Sequence, residues 1–129
     1  MRTLTAALVA AAFLSSAARA QAPAPAPATP PPLYAAVFKT GPKWDAARPP
    51  NEQASFREHS ANLAKLRAAG TIVMGARYAD VGLVVVTAAT EADARKLFDG
   101  DPSIAAGTFT LDVHRFSVFY PGHVGTPPK

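Results

Sequence analysis

The sequence predicts an α+β domain between residues 33 and 120, with two helices on one face of a four-stranded antiparallel sheet. Three observations predict this class: four apolar segments typical of strands, two segments with helix-capping residues, and the βαββαβ order in which the segments alternate. That order is the ferredoxin-like plan.

The first 20 residues have the composition of a secretory signal peptide. Arg2 gives a basic start, residues 4–14 are apolar, and Ala18-Arg19-Ala20 matches an A-x-A cleavage site. A transmembrane anchor is the alternative, but it needs about 20 consecutive apolar residues. The chain has no cysteine to carry a lipid or form a disulfide. We therefore expect a periplasmic or secreted protein with no stable membrane anchor after cleavage.

Two further segments are expected to remain outside the core. Residues 21–32 form a spacer rich in proline and alanine, and residues 121–129 form a flexible tail rich in proline and glycine. Without Arg2 and Arg19, 11 basic residues remain against 9 acidic ones, a net charge of +2. These basic residues are scattered along the chain, which argues against nucleic-acid binding.

The first half of the domain is predicted as a strand, a loop and a helix. Residues 33–38 (LYAAVF) form a buried strand. The helix is expected at residues 51–69, with Asn51 as its N-cap and Gly70 in the C′ position.

The second half is predicted as a hairpin, a helix and a strand. The hairpin strands are residues 71–78 and 82–88. Thr90 caps a helix that continues to about Gly100, residues 101–107 form a turn, and the last strand covers residues 108 to about 119.

The strands are apolar on both faces, although two helices can cover only one. Residues 83–86 (LVVV) show no alternation, and the last strand changes phase between Val113 and Phe116. We expect a second copy of the chain to cover the other face, which predicts a homodimer.

His59 and Asp101 are the candidates for chemistry, and each has a structural alternative. His59 falls on the apolar arc of the first helix, where a histidine is more often packed than functional. It can also act as a general base near neutral pH if a carboxylate fixes its tautomer. Asp101 precedes Pro102 and can simply cap nearby amides.

Other residues have weaker signals. Gly75 and Gly107 are expected to meet backbone demands, and Trp44 to pack or to line a pocket. Arg77 and Tyr78, near the end of the second strand, can bind an anionic or aromatic ligand.

No metal or cofactor is predicted. Asp112 and His114 share one face of the last strand, but a zinc site needs a third protein ligand and no such spacing occurs. No phosphate-binding glycine loop, dinucleotide fingerprint or G-x-S-x-G motif is present.

These residues resemble the YciI-like proteins of the dimeric α/β-barrel group. The resemblance covers residues 33–119 and rests on the LYAAVF strand, on His59 within REHSANLAKLRAAG, on Gly75, and on DPSIAAG at residues 101–107. It implies a ferredoxin-like dimer whose cleft holds a histidine and an aspartate, which match His59 and Asp101.

The chain departs from the family pattern at three places. The arginine that usually comes shortly before the histidine is displaced to Arg57, the Gly-Pro after the second strand reads Ala76-Arg77, and Thr40 replaces an acid common at the end of the first strand.

Two functions follow from the residues and the resemblance together. One is an enzyme in which His59 is a general acid/base oriented by Asp101, acting without a cofactor on a small cyclic compound by proton transfer. The other is a non-catalytic module that binds a small organic ligand. In either case the expected ligand contacts are Arg57, Trp44, Arg77 and Tyr78.

Overall fold

The computed structural model describes residues 24–26, 28–123 and 125 of the 129-residue chain. The predicted signal peptide lies outside the described residues, as do parts of the spacer and of the tail. Among the described residues, no helix is both long and apolar enough to cross a membrane.

The predicted α+β ferredoxin-like fold is confirmed. The four strands form one antiparallel sheet in the order β2-β3-β1-β4, so the two strands next to each other at its centre are β3 and β1. In chain order the elements are β1 (Leu33–Thr40), a 3-10 turn (Pro50–Glu52), α1 (Phe56–Ala68), β2 (Ile72–Tyr78), β3 (Val81–Thr87), α2 (Glu91–Lys96), α3 (Pro102–Ala105) and β4 (Phe109–Phe116).

The core lies between the helices and one face of the sheet. Ala36 of β1 stands opposite Val84 of β3 and Val113 of β4, so these three side chains share that face. Phe98, only 2% exposed, packs on them from the segment after α2. Burying one such side chain contributes about 1.5–3 kcal/mol, so this face accounts for much of the stability.

The second face of the sheet is apolar on the two central strands, but β4 is polar there, with Asp112 opposite Val37. Ala35 is paired with Val85 and Val37 with Leu83, one residue out of step with the core positions. Successive side chains of a strand point to opposite faces, so these four residues lie on the face that carries no helix.

The first helix begins later than predicted, at Phe56 instead of residue 51. The buried side chain of Gln53 donates to the carbonyl oxygens of Asp45 at 2.6 Å and of Arg48 at 3.0 Å, which fixes this segment as a loop. Ser55 then has φ +60°, outside the right-handed helical region, so the helix cannot extend backwards through it. The prediction of Asn51 as the N-cap is therefore wrong.

The other boundaries agree with the predictions in part. Gly70 has φ +75° just after α1, and the hydroxyl of Thr90 accepts from the Asp93 amide at 3.1 Å. The second helix ends at Lys96 instead of about residue 100, and the predicted turn at residues 101–107 contains the short helix α3.

The last strand ends at Phe116, three residues earlier than predicted. Phe116 is paired with Leu33, the first residue of β1, and residues 30–32 before it are prolines. Proline has no backbone N–H to donate, so the chain before Leu33 cannot continue the hydrogen bonding between β1 and β4.

Candidate functional site

Helix α1 and the segment between α2 and α3 bring His59 and Asp101 together. His59 lies in the first turn of α1 and Asp101 is the N-cap of α3, 42 residues later. The Nδ1 atom of His59 is 2.6 Å from Oδ2 of Asp101. The other carboxylate oxygen, Oδ1, accepts from the Ser103 amide at 3.0 Å and from its hydroxyl at 2.7 Å. Asp101 therefore caps α3 and binds His59 at the same time.

A set of backbone bonds holds this loop against the end of β1. The Gly41 amide donates to the Thr108 carbonyl at 2.8 Å, and the Lys43 amide donates to the Gly107 carbonyl at 2.9 Å. The Thr108 hydroxyl donates to the carbonyl of Ala54, just before α1, at 2.7 Å. These bonds fix the segment that carries Asp101 relative to the helix that carries His59.

The two glycines in this contact have different tasks. Gly107 has φ +73°, so its predicted backbone role is confirmed. Gly41 was not singled out from the sequence, yet a Cβ placed there would lie 2.2 Å from the Gly107 carbonyl oxygen. The close approach of the two segments therefore requires glycine at position 41.

The hydrogen bonds determine the protonation of the pair. Burial of Asp101 by itself raises the pKa of its carboxyl group, but the hydrogen bonds from His59 and Ser103 outweigh burial and leave that pKa below its usual value of 3.8. The group is thus a carboxylate at neutral pH and can only accept. It follows that Nδ1 carries the proton, and in the neutral ring Nε2 is the basic nitrogen.

Ser103 does not complete a serine-nucleophile triad. Its hydroxyl lies 3.4 Å from Nδ1, on the same side of the imidazole as Asp101, and the residue is fully buried. A serine nucleophile would have to face Nε2 instead. Ser103 therefore acts as a positioning residue for the carboxylate.

Aromatic side chains surround the imidazole. The ring centroids of Phe38 and Phe109 lie 4.8 Å and 5.0 Å from that of His59, and Phe56 lies at 6.4 Å. This environment excludes water from the Asp101 side, and His59 as a whole is 7% exposed. The dyad is consequently largely shielded from water.

His59 forms part of the wall of a cavity of about 230 Å³ between α1 and the β2–β3 hairpin. Its Nε2 makes no hydrogen bond with any described residue, and that atom is not among the fully enclosed unpartnered ones. A ligand in this cavity would therefore lie beside the His59 ring, whose Nε2 is free to bond with it. The remaining lining residues are Phe38, Phe56, Ser60, Leu63, Gly75, Ala76, Arg77, Asp80, Gly82, Leu83, Val84 and Phe109.

Two glycines create the floor of this cavity. Gly75 is paired with Val84, a core-face residue, so a side chain at position 75 would point toward α1. No heavy atom lies within 4 Å of a Cβ built there, and at Gly82 only ordinary contacts with Phe38 arise. The expectation that Gly75 meets a backbone demand is wrong, because its φ is not positive and no segment approaches it closely.

The predicted ligand contacts fall in different places. Arg77 lines the cavity. Trp44 is partly buried and packs on Phe109 at 5.5 Å between ring centroids, without lining the cavity. Arg57 is exposed on α1 outside the lining, and Tyr78 is 59% exposed on the second face of the sheet.

Sequence reasoning missed several residues of this site. Ser60 and Asp80 line the cavity, but a serine on a helix and an aspartate in a tight turn are ordinary surface residues in sequence. Phe109 was assigned to the last strand without its contact to His59. Only the tertiary structure brings these three positions to one cavity.

Comparisons of the chain with protein-family models, with curated proteins and with solved structures found no match.

The Asp101 pKa predicts how stability depends on pH. Because the folded-state pKa lies below the unfolded value, the carboxylate stabilises the fold above about pH 4, and this stabilisation is lost as the pH falls through the folded-state pKa. We expect the free energy of unfolding, measured by urea titration from pH 6 to pH 2, to fall more steeply in the original chain than in Asp101→Asn. Parallel curves for the two proteins would contradict the assigned hydrogen bond between the Asp101 carboxylate and His59.

Proposed function

We propose that this protein is an exported small-molecule enzyme of the YciI-like type that transfers a proton with His59, oriented by Asp101. The observation that carries the proposal is the 2.6 Å bond between Nδ1 and Asp101 in a histidine that also lines a cavity. A histidine that served packing alone would not need a cavity beside its second nitrogen. The resemblance in residues 33–119 supports the same assignment.

The proposed step begins with the neutral imidazole. Nε2 accepts a proton from a carbon acid in the cavity, and the imidazolium that forms is stabilised by the Asp101 carboxylate on the other side of the ring. In an isomerisation the proton returns to another carbon of the same molecule. In an elimination it stays on His59 while an anion leaves, and is then released to water. Neither route needs a cofactor.

The shape of the cavity limits the substrate. A volume of about 230 Å³ is smaller than the roughly 300–1,000 Å³ of sites for drug-sized ligands. An apolar cavity of about 150 Å³ accommodates a benzene ring. With Phe38, Phe56 and Phe109 on its walls, the site suits a compound with a single ring.

The proposal predicts enzyme-dependent hydrogen exchange. In D₂O, a panel of cyclic enones and unsaturated lactones with an acidic C–H is incubated with the protein, and deuterium uptake is followed by NMR. Loss of a general base typically costs about 10²–10⁴ in rate, so we expect a loss of that size in His59→Gln. Asp101→Asn should lose less, because Nε2 is retained while its orientation and charge support are weakened.

A matched pair of glycine variants separates the cavity from the fold. Gly75→Val fills the floor without a clash and should abolish exchange, whereas Gly100→Val, where an added Cβ also has no neighbour within 4 Å, should leave it intact because Gly100 lies outside the cavity. Exchange that survives in both His59→Gln and Gly75→Val would overturn the proposal.

The alternative is a binding module without chemistry. The 7% exposure of His59 favours it, because a catalytic imidazole must reach its substrate through that small opening. Under this alternative, ring compounds shift the NMR signals of His59 in the original chain and no longer bind to Gly75→Val. No panel member exchanges deuterium. That outcome would show that the protein binds a small ligand and does not catalyse proton transfer.

We also propose that the protein is a homodimer that works outside the cytoplasm. Support for the dimer comes from the apolar centre of the second face, on which Ala35, Val37 and Leu83 lie side by side and are only partly buried in the single chain. Export is supported by the sequence of residues 1–20 alone.

The dimer has a direct test. Sedimentation velocity should give twice the chain mass for the original protein and a single chain mass for Val37→Glu, because an unpaired charge cannot be buried in an apolar interface. Ala64→Glu, exposed on α1, is the matched control and should remain dimeric. A monomeric original chain would refute the dimer.

A further inference from the structure

We propose that the ligand of this cavity is a single-ring carboxylic acid whose carboxylate is bound by Arg77 while the ring lies against His59. The inference rests on the proposed function, and it adds the chemical class of the ligand. It starts from one feature of the cavity: a cationic side chain at its rim that has no partner among the described residues.

The strand register directs Arg77 toward the cavity. Arg77 is paired with Gly82, which is in turn paired with Phe38 of the core face. Paired residues in an antiparallel ladder have their side chains on the same face, so Arg77 extends on the side of the sheet that holds the cavity and α1. Gly82 has no side chain to cover the arginine stem.

The guanidinium is available for a ligand. In the described part of the chain Arg77 takes part in no ion pair and donates no side-chain hydrogen bond, although Asp80 lines the same cavity. Asp80 lies in the two-residue turn between β2 and β3. The cavity rim thus carries one positive and one negative group that are not joined to each other.

The rest of the cavity decides between an anion and a cation. The walls opposite the rim are apolar and aromatic. At neutral pH the proton-bearing Nδ1 of His59 donates to Asp101. The nitrogen of His59 that is free to bond with a ligand is therefore the basic Nε2. The Arg77 guanidinium is a planar fork of N–H donors and can bind the carboxylate of a ligand through two parallel hydrogen bonds. A cationic ligand would instead place a single ammonium group at Asp80, and that contact lacks the same geometric match. A ring acid places its carboxylate at the rim and its ring against the phenylalanines.

The test uses three probes of one shape: benzoate, the neutral benzamide and the cationic benzylamine. Dissociation constants are measured by NMR titration of the full chain in low salt. We expect benzoate to bind at least about tenfold more tightly than benzamide, the size of one charge-assisted hydrogen bond. Arg77→Gln should remove this preference, and Arg77→Lys should retain part of it.

The neighbouring charges provide the controls. Asp80→Asn should tighten benzoate binding because it removes a negative charge from the rim, and Arg67→Gln, at the far end of α1, should change nothing. Added salt should weaken benzoate more than benzamide, since an exposed guanidinium is screened. Equal binding of benzoate and benzamide, preference for benzylamine, no binding of any probe, or loss of the preference in Arg57→Gln instead of Arg77→Gln would each overturn the assignment.

The anion site and the proposed chemistry fail separately. Deuterium exchange without a benzoate preference would remove Arg77 from the site but retain His59 as a base. A benzoate preference that depends on Arg77, with no exchange by any panel member, would retain the anion site in a protein that only binds.

Discussion

Replacing Gly41 by alanine is expected to destabilise the domain by about 3 kcal/mol or more, at the upper end of the cost of overpacking a tight contact. An added Cβ would lie 2.2 Å from the carbonyl oxygen of Gly107, 2.9 Å from its carbonyl carbon and 3.1 Å from the carbonyl carbon of Thr108. All three are backbone atoms, so no side chain can rotate away. The two segments would have to separate, and the bonds at Gly41 and Lys43 would break.

The free energy of unfolding of Gly41→Ala is measured by urea titration, using the fluorescence of Trp44, the single tryptophan. Trp44 packs on Phe109 close to the altered contact and so reports on it directly. Gly100→Ala is the control, because it meets no atom within 4 Å and should change stability by less than about 0.5 kcal/mol. Similar midpoints for the two variants would show that the segments do not approach as described.

Removing the Asp101 side chain is the second large effect: Asp101→Ala should cost about 3–5 kcal/mol, because each buried donor that loses its acceptor costs about 1–3 kcal/mol. The carboxylate is 2% exposed and accepts from His59, from the Ser103 amide and from the Ser103 hydroxyl. Alanine removes the acceptor of all three bonds, and only the longer contact of 3.4 Å between the Ser103 hydroxyl and Nδ1 is left. It also removes the N-cap of α3.

Two comparisons make this result specific. Asp101→Asn keeps a capping oxygen and the volume, so its loss of stability should be clearly smaller than that of Asp101→Ala. Asp99→Ala, two residues away but exposed, should stay within about 0.5 kcal/mol of the original chain. If Asp101→Ala were as stable as Asp99→Ala, Asp101 would not be the buried partner of His59.

The local signals in the sequence predicted the elements well where a side chain or a glycine acts on its own neighbours. Thr90 caps α2, and Gly70 ends α1 with a positive φ. The prediction failed at residues 51–55, because the Gln53 side chain bonds backbone groups up to eight residues earlier and holds a loop where local composition favours a helix. Such a bond depends on how the loop folds back, which periodicity does not contain.

The candidate site was predictable only in part. His59 and Asp101 were identified as a pair from the residues and the resemblance, and the structure places them 2.6 Å apart. Arg77 and Tyr78 are adjacent in sequence and looked equivalent, yet the period of two in a strand sends them to opposite faces. Only Arg77 lines the cavity.

By itself the sequence determined the order of the strands and helices along the chain, because apolar periodicity and caps are local properties. It also determined that the two central strands are apolar on both faces. The tertiary structure decided what these elements enclose: the bond between two residues 42 positions apart, the close approach that requires Gly41, and the space above Gly75. Each of these depends on strand register and on the packing of a helix over the sheet. No single segment of the sequence determines either of them.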